Sequence, residues 1–312
     1  MDEIITVKNL NKTYGQKPAV KDLSFSVSQG EIVGLLGPNG AGKSTTINIL
    51  STILKPDSGY ISIGGYDLAK NKSDIKKFIG VVPQDLAIYE EISAEKNVAF
   101  FASLYGLHGA ELKEKVRNAL QQVGLYEHRA EKPKTFSGGM KRRLNIACAI
   151  AHAPKLIIMD EPTVGIDPQS RNHILEAILI LQKQGATILY STHYMEEVET
   201  IANRILILDE GTMIASGTKN ELCQRFENQV TYSFILDSRP EKQAIPLNGL
   251  TGVKSVVFEK QGITVTVDAH TESLSNVITA LLSAGHQIKS MSSKEASLET
   301  VFLDLTGKSL RD

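Results

Sequence analysis

The sequence contains no tryptophan and only two cysteines, Cys148 and Cys223, which lie far apart in the chain. They form no Cys-x-x-Cys pair, so their spacing favours two reduced thiols of a cytosolic protein over a disulfide or a metal site. Long apolar runs are also missing, because none approaches the roughly 18 residues that a membrane-spanning helix needs. The first residues show no basic segment followed by an apolar one, and we therefore expect a soluble chain without a secretory signal.

The sequence also lacks an excess of charge. Its 34 Lys and Arg residues stand against 35 Asp and Glu residues, which gives a net charge of -1. Such a balance produces no global field that attracts nucleic acid or acidic lipid, so we expect no nucleic-acid partner, and any membrane contact would come through a partner protein. The 312 residues, 42% of them hydrophobic, suffice for one large and one small domain.

A glycine-rich segment joins the apolar run 32–36 to a helical pattern that begins near Lys43. Strand, glycine loop and helix in this order are the context of a phosphate-binding loop, whose backbone N–H groups converge on an anion. We expect Lys43 to reach the terminal phosphates and the Ser44 hydroxyl to ligate Mg²⁺. The alternative is a turn that binds nothing. The predicted nucleotide-binding residues of this loop are Gly37, Pro38, Asn39, Gly40, Ala41, Gly42, Lys43, Ser44 and Thr45.

The most apolar run, 156–159, ends in two carboxylates, Asp160 and Glu161. Continuous apolarity indicates a strand buried on both faces, as in a parallel sheet, and carboxylates at the C-terminal end of such a strand face the ligand crevice. One carboxylate can hold the water shell of Mg²⁺ while the next accepts a proton from an attacking water. The alternative, a cap for the following loop, explains one carboxylate better than a pair.

Two other predicted strands end in single polar side chains, with Gln84 after the run 79–83 and His193 after the run 186–192. His193 could contact a terminal phosphate or orient the lytic water, although a lone histidine at such a position is usually structural. Near the N-terminus, Tyr14 lies in a predicted turn between two alternating strands. It could stack on a base or merely anchor its loop.

Between residues 93 and 152 the strand signals vanish, which predicts a helical insertion in an α/β domain, with Ser93 as the cap of its first helix. Ser137, Gly138 and Gly139 stand at the head of its last helix and offer a second anion site, although a plain helix cap explains them equally well. We interpret the basic residues 141–143 as a solvated first helical turn.

Beyond about residue 220 the pattern changes. Strands at 253–258 and 263–267, a helix, a strand at 288–291 and a final helix at 297–305 predict a small α+β domain without a catalytic constellation.

The phosphate loop alone would allow a kinase, a GTPase or another NTPase, but the ordered set of motifs fits a much narrower class of protein. Over roughly residues 3 to 220 the chain resembles the nucleotide-binding domain of an ABC ATPase. The residues that carry the resemblance are Tyr14, the loop from Gly37 to Thr45, Gln84, Ser137-Gly138-Gly139, Asp160-Glu161, Gly165-Ile166-Asp167-Pro168 and His193.

The resemblance implies an α/β P-loop NTPase domain with a mixed sheet at 1–225, a helical subdomain at about 85–153, and an α+β accessory domain at 226–312. It implies that Tyr14 stacks on adenine. Glu161 would be the general base, His193 would contact the γ-phosphate, and Gln84 would sense Mg²⁺, the lytic water and the transmembrane partner. The implied catalytic residues are thus Glu161, His193, Gln84 and Lys43, and the implied Mg²⁺ residues are Ser44, Gln84 and Asp160.

The resemblance also implies a head-to-tail dimer that clamps two ATP molecules. Ser137, Gly138 and Gly139 would contact the ATP held by the second copy, and Asp167 would cross the same interface. Phe136 and Met140 stand where the family more commonly has Leu and Gln, so contacts made by that Gln side chain would be lost.

The tail at 297–307 is similar to that of bacterial ATPases of ABC-2-type drug and antibiotic exporters. It implies an ATPase on the cytoplasmic face of the membrane, held there by separate permease subunits and conferring resistance. An ABC-2 exporter of an ion, a lipid or a polysaccharide is the alternative. A soluble ABC ATPase acting on ribosomes or DNA, and a regulatory module that binds ATP without hydrolysing it, are further alternatives.

Overall fold

The computed structural model describes residues 2–224, 229–238, 247–259, 262–268, 273–294 and 297–306. They divide into two compact units, one up to Thr218 and a second from Lys219 onward. Within the described ranges, no helix combines the length and the apolarity needed to cross a bilayer.

The first unit contains a predominantly parallel sheet in the order β10-β9-β3-β8-β7-β6, in which only the β9–β10 pair is antiparallel. The central strands β3, β7 and β8 are buried along their whole length, as continuous apolar runs predict for strands covered on both faces. The strands are β3 (Ile32–Leu36), β6 (Ile79–Val82), β7 (Leu156–Asp160), β8 (Thr187–Thr192), β9 (Arg204–Asp209) and β10 (Thr212–Gly217).

An antiparallel sheet in the order β2-β1-β4-β5 joins the same unit and shares one apolar core with β3 and the helix that follows it. The alternating patterns near the N-terminus predicted its first two strands. The strands are longer than that pattern, so Tyr14 ends a strand instead of lying in a turn. Their bounds are β1 (Glu3–Tyr14), β2 (Lys17–Ser28), β4 (Ser58–Ile63) and β5 (Tyr66–Asp67).

The predicted helical insertion is present between β6 and β7. Two of its helices begin at the expected serine caps, since Ser93 Oγ accepts from Lys96 N and Ser137 Oγ accepts from Met140 N. The helices of the unit are α1 (Lys43–Leu50), α2 (Lys72–Phe78), α3 (Ala94–Ser103), α4 (Gly109–Gln122), α5 (Gly138–Ile150), α6 (Pro168–Lys183) and α7 (Met195–Ile201).

Glycine at position 34 brings α7 against the central strand β3. A Cβ built on Gly34 would lie 2.6 Å from Val198 Cγ1, closer than van der Waals contact allows. The helix that follows His193 therefore lies directly on the sheet.

The second unit is an α+β fold with an antiparallel sheet in the order β12-β13-β11-β14 and its own apolar core. Its first strand, β11, gave no clear sequence signal. The elements are α8 (Lys219–Gln224), β11 (Gln229–Leu236), β12 (Val253–Phe258), β13 (Gly262–Asp268), α9 (Ser273–Ser283), β14 (Ile288–Lys294) and α10 (Leu298–Thr306).

Candidate functional site

The predicted site residues of the sheet lie at one edge because β3, β8, β7 and β6 are parallel neighbours. The C-terminal ends of these strands place the glycine loop, His193, the pair Asp160 and Glu161, and Gln84 at the same edge of the sheet.

The glycine loop turns sharply into α1 at Gly42. Its φ is +97°, a left-handed conformation, and a Cβ there would lie 2.5 Å from the carbonyl oxygen of Ala19. A residue other than glycine would be both strained and obstructed, so this position fixes the loop's path to the helix N-terminus. The backbone N–H groups at that terminus have no partner within the helix and attract an anion.

Lys43, the first residue of α1, is 4% exposed. Its Nζ donates to the carbonyl oxygens of Gly37 (2.7 Å) and Pro38 (3.1 Å) and lies 3.2 Å from Glu161 Oε1. Burial lowers the pKa of Lys43, while the nearby carboxylates of Glu161 and Asp160 oppose that shift. The loop thus holds the buried ammonium group of Lys43 next to the N-terminus of α1.

Asp160 ends β7 and shares its Oδ1 between two hydroxyl donors. Ser44 Oγ lies 3.2 Å away and Ser191 Oγ 2.7 Å away. The same Ser191 hydroxyl accepts from the backbone N–H of Glu161 at 3.0 Å. Ser191 therefore fixes both carboxylate-bearing residues against β8.

Glu161 adopts a φ of +45°, which is uncommon for a residue with a side chain. Its carboxylate lies between Lys43 and His193, with Oε1 3.2 Å from Lys43 Nζ and Oε2 3.2 Å from His193 Nδ1. An ionised carboxylate only accepts, so this contact places a proton on His193 Nδ1. The His193 ring in turn packs on Tyr194 with ring centroids 4.2 Å apart. The positive φ of Glu161 is a form of backbone strain, and such strain is concentrated at functional sites.

Tyr14 and Gln84 line the same cleft as the glycine loop, and Tyr14 is 51% exposed. The cleft encloses about 290 Å³. Its lining residues are Tyr14, Lys17, Pro18, Ala19, Asn39, Gly40, Gly42, Lys43, Ser44, Thr45, Gln84 and Glu161.

Seven predicted nucleotide-binding residues do not line this cleft. Three of them, Gly37, Pro38 and Ala41, belong to the glycine loop itself, and the other four are Ser137, Gly138, Gly139 and Asp167. The last four lie beside one another because the N-terminus of α5 packs on that of α6, and a Cβ on Gly139 would collide with Ser170.

Asp167 caps α6 in the same way that Ser137 caps α5. Asp167 Oδ1 accepts from Ser170 N at 2.9 Å, and the hydrogen bonds from Ser170 lower the pKa of Asp167. Two capped helix N-termini thus stand side by side, apart from the cleft.

The interpretation of residues 141–143 as a solvated turn is wrong for Arg142 and Arg143, whereas Lys141 forms an exposed ion pair with Glu90. Arg142 is 5% exposed, and its guanidinium donates to the carbonyl oxygens of Pro83 (2.9 Å) and Gln84 (2.6 Å). Arg143 binds the carbonyl oxygens of Val123 and Gly124. Both guanidinium groups donate to backbone carbonyl oxygens at chain turns. The pattern of charged residues in the sequence does not reveal such partners. Arg142 therefore fixes the backbone of Gln84 to the helix that Ser137 caps.

Sequence reasoning also missed Glu197, a carboxylate 1% exposed on α7. Helical spacing from Val198 and Ile201, which are buried, would have placed Glu197 on the apolar face of that helix.

The family model described as ABC transporter matches residues 20–164. The linearmycin resistance ATP-binding protein of Bacillus subtilis is 44% identical over 99% of this chain and 100% of that protein. The daunorubicin/doxorubicin resistance ATP-binding protein of Streptomyces peucetius is 35% identical over 97% and 92%. The Nod factor export ATP-binding protein I of Cupriavidus metallidurans is 34% identical over 100% of both.

Solved structures agree with these relatives. One, described as the ATP binding subunit of an ABC transporter, has 35% identity and a TM-score of 0.65 over 72% of this chain and 93% of that chain. A dimeric post-hydrolysis ATP-binding cassette with ADP and Pi bound has 27% identity and a TM-score of 0.62 over 69% and 98%.

The sheet, the phosphate loop and the acidic strand end together define an ATP-hydrolysing P-loop enzyme. The chain belongs to the ABC transporter family, as an ATP-binding and ATP-hydrolysing subunit. The resemblance inferred from its motifs and the predicted fold class are thereby confirmed.

Proposed function

We propose that this chain powers the export of an amphiphilic drug or antibiotic through separate membrane subunits, from the cytoplasmic face of the membrane. The proposal is supported by relatives named for linearmycin and daunorubicin/doxorubicin resistance, whose similarity extends over almost the whole chain and thus into the second unit. The alternative is export of a lipid, polysaccharide or ion. The Nod factor export relative, which also covers the whole chain, is the observation that favours it.

The observation that carries the proposed mechanism is the position of Glu161 between Lys43 and His193. Glu161 would accept the proton of the attacking water, since its carboxylate stands at the phosphate loop and within 3.2 Å of both neighbours. Lys43 would move from Glu161 to the terminal phosphates when nucleotide binds, because a phosphate is the stronger anionic partner. His193 would then contact the γ-phosphate through its imidazole.

The residues present fit a Mg²⁺ ion. The Ser44 hydroxyl and Asp160 Oδ1 are 3.2 Å apart, and Gln84 lines the same cleft. No cluster of three His, Cys, Asp or Glu side chains occurs among the described residues, but Mg²⁺ needs only one or two protein ligands beside phosphates and water. When bound, Mg²⁺ would neutralise charge developing on the phosphates.

The second copy of the chain would complete the site. Ser137, Gly138, Gly139 and Asp167 lie outside their own cleft, which suits residues that face the ATP of a partner. The helix N-terminus that Ser137 caps could bind the partner's phosphates by the same dipole argument as the glycine loop. We therefore propose a head-to-tail dimer with two shared ATP molecules.

The membrane subunits would dock beside Gln84. Leu86 and Tyr89 are 41% and 51% exposed, and Tyr89 packs edge-on against Phe100, itself 41% exposed, with centroids 5.3 Å apart. A cluster of exposed aromatic and aliphatic side chains is the kind of patch that partner proteins cover. Because Arg142 ties the Gln84 backbone to α5, movement at this surface would reach the Ser137 end of the helix.

The cargo is testable in cells. A strain lacking the chain is complemented with the wild type or with Glu161→Gln and challenged with amphiphilic antibiotics. We expect resistance with the wild type only. Unchanged sensitivity of the deletion strain to every amphiphilic antibiotic, together with a defect in lipid or polysaccharide export, would favour the alternative.

A further inference from the structure

Glu197 is a buried carboxylate that has no part in the proposed chemistry. It lies on α7, is 1% exposed, and shares the buried face of that helix with Val198 and Ile201. Burying a carboxylate is unfavourable unless several donors satisfy it, and an apolar residue of similar size would fill the space without that cost. Its contacts show what the charged group holds together.

Three hydroxyl groups donate to this carboxylate. Thr163 Oγ1 lies 2.6 Å from Oε1, while Tyr190 OH and Thr192 Oγ1 lie 2.8 Å and 2.7 Å from Oε2. Burial and the neighbouring Glu197 charge raise the pKa of Tyr190 well above its usual value, so its hydroxyl stays protonated and keeps donating. Both carboxylate oxygens are therefore engaged, and their geometry is fixed from several directions.

The donors flank the two groups that the proposed mechanism uses. Thr163 follows Glu161 by two residues, and Thr192 immediately precedes His193. One side chain thus binds the segment behind the proposed base and the strand end that presents the histidine.

Arg171 adds a second connection between the same segments. Its Nε lies 3.4 Å from Glu197 Oε1, and its guanidinium carbon lies 4.6 Å from the centre of the Tyr194 ring. Tyr194 in turn packs against the His193 ring. Arg171 stands one helical turn after Asp167, so the contact also reaches the segment that would face the second copy.

We propose that Glu197 is a positioning residue for ATP hydrolysis. Through Thr163 and Thr192 it fixes the position of Glu161 relative to His193, and through Arg171 it connects both segments to α6. The inference rests on the proposed roles of Glu161 and His193. Glu197 does not touch the reacting atoms. Its removal would shift the base and the histidine relative to each other while leaving the phosphate loop in place.

The test compares Glu197→Gln with Glu196→Gln in the full-length chain. Glutamine keeps the size of the side chain but replaces one acceptor oxygen by an NH₂ group and removes the charge opposite Arg171. Glu196 is the adjacent, exposed carboxylate on the same helix and serves as the matched control.

We expect Glu197→Gln to lower kcat about tenfold, because a small displacement of catalytic groups costs rate and not affinity. KM for ATP and the affinity for a fluorescent ATP analogue should stay within about twofold, since the phosphate loop is untouched. Glu196→Gln should match the wild type in all three. Wild-type kcat in Glu197→Gln would overturn the inference, as would a loss confined to KM or to nucleotide affinity.

A double-mutant cycle with Arg171→Gln gives an independent readout. If Glu197 and Arg171 act as one unit, the double variant should lose no more kcat than the worse single variant. Multiplicative losses would contradict the connection through Arg171.

If Glu197→Gln does not fold, Thr163→Val decides, since it removes one donor and keeps the shape of the side chain. A several-fold lower kcat at wild-type nucleotide affinity supports the inference, and wild-type kcat overturns it. Glu161→Gln separates this failure from failure of the proposed mechanism. If Glu161→Gln loses turnover while the Glu197 and Thr163 variants stay fully active, the positioning role of Glu197 is wrong and the proposed role of Glu161 stands.

Discussion

Replacement of Glu161 by Gln tests the proposed chemistry most sharply. Gln has nearly the shape of Glu. Its amide oxygen can still accept from Lys43 Nζ, and its NH₂ group can donate to His193 Nδ1 when the ring carries its proton on Nε2. It cannot take up the proton of the attacking water. General-base catalysis contributes about 10² to 10⁴ in rate, so kcat should fall at least about 100-fold, equivalent to roughly 2.7 kcal/mol in the activation barrier.

Phosphate release and ATP binding by the full-length chain are measured together. ATP affinity should be retained or rise, because Lys43 loses its charged competitor at Glu161 and is freed for the phosphates. Glu31→Gln is the matched control, since Glu31 is also paired with a cation, Arg204 at 2.7 Å, but precedes β3 at the other end of the sheet. Turnover within about twofold of the wild type in Glu161→Gln would refute the assignment of the base.

Three further predictions follow from the described contacts. Arg142→Met should lower the free energy of unfolding in urea by about 2–3 kcal/mol, since the carbonyl oxygens of Pro83 and Gln84 lose a charged donor. An unchanged free energy of unfolding would contradict a stabilising role for these two hydrogen bonds. Leu86→Asp with Tyr89→Asp should abolish copurification with the membrane subunits, and intact copurification would exclude this docking surface. Burial lowers the pKa of His152 from 6.5 to about 4, so the unfolded chain binds more protons between these values; unfolding should become easier as pH falls through that range, and His152→Gln should flatten the dependence.

Much of the fold follows from periodicity. The continuous apolar runs predicted the buried parallel strands, and Ser93 and Ser137 predicted helix starts by the capping preference of serine. The β11 strand had no clear signal of this kind. Its residues alternate serine and threonine with apolar side chains over only part of its length, and pairing with β13 and β14 completes it.

The residues of the candidate site also differ in how far the sequence predicts them. Lys43, Asp160, Glu161 and His193 were predictable because each ends or begins a regular element at one edge of the sheet. The contacts of Arg142 and Glu197 were not predictable, although helical spacing indicates that Glu197 is buried. Their partners are backbone carbonyls and hydroxyl groups distant in sequence, and such contacts exist only after the chain has folded.

The shared nucleotide site is the central claim, and ATP-dependent dimer formation tests it directly. The Glu161→Gln chain, which should bind ATP without turning it over, is compared with the double variant that also carries Ser137→Arg. A second double variant carries Ser73→Arg, an exposed serine in the first turn of α2, as the control. Light scattering should show ATP-dependent dimers for the Glu161→Gln chain and the Ser73 control, and monomers for the Ser137 variant. Dimers of the Ser137→Arg variant at the same ATP concentration would contradict a nucleotide held between two copies.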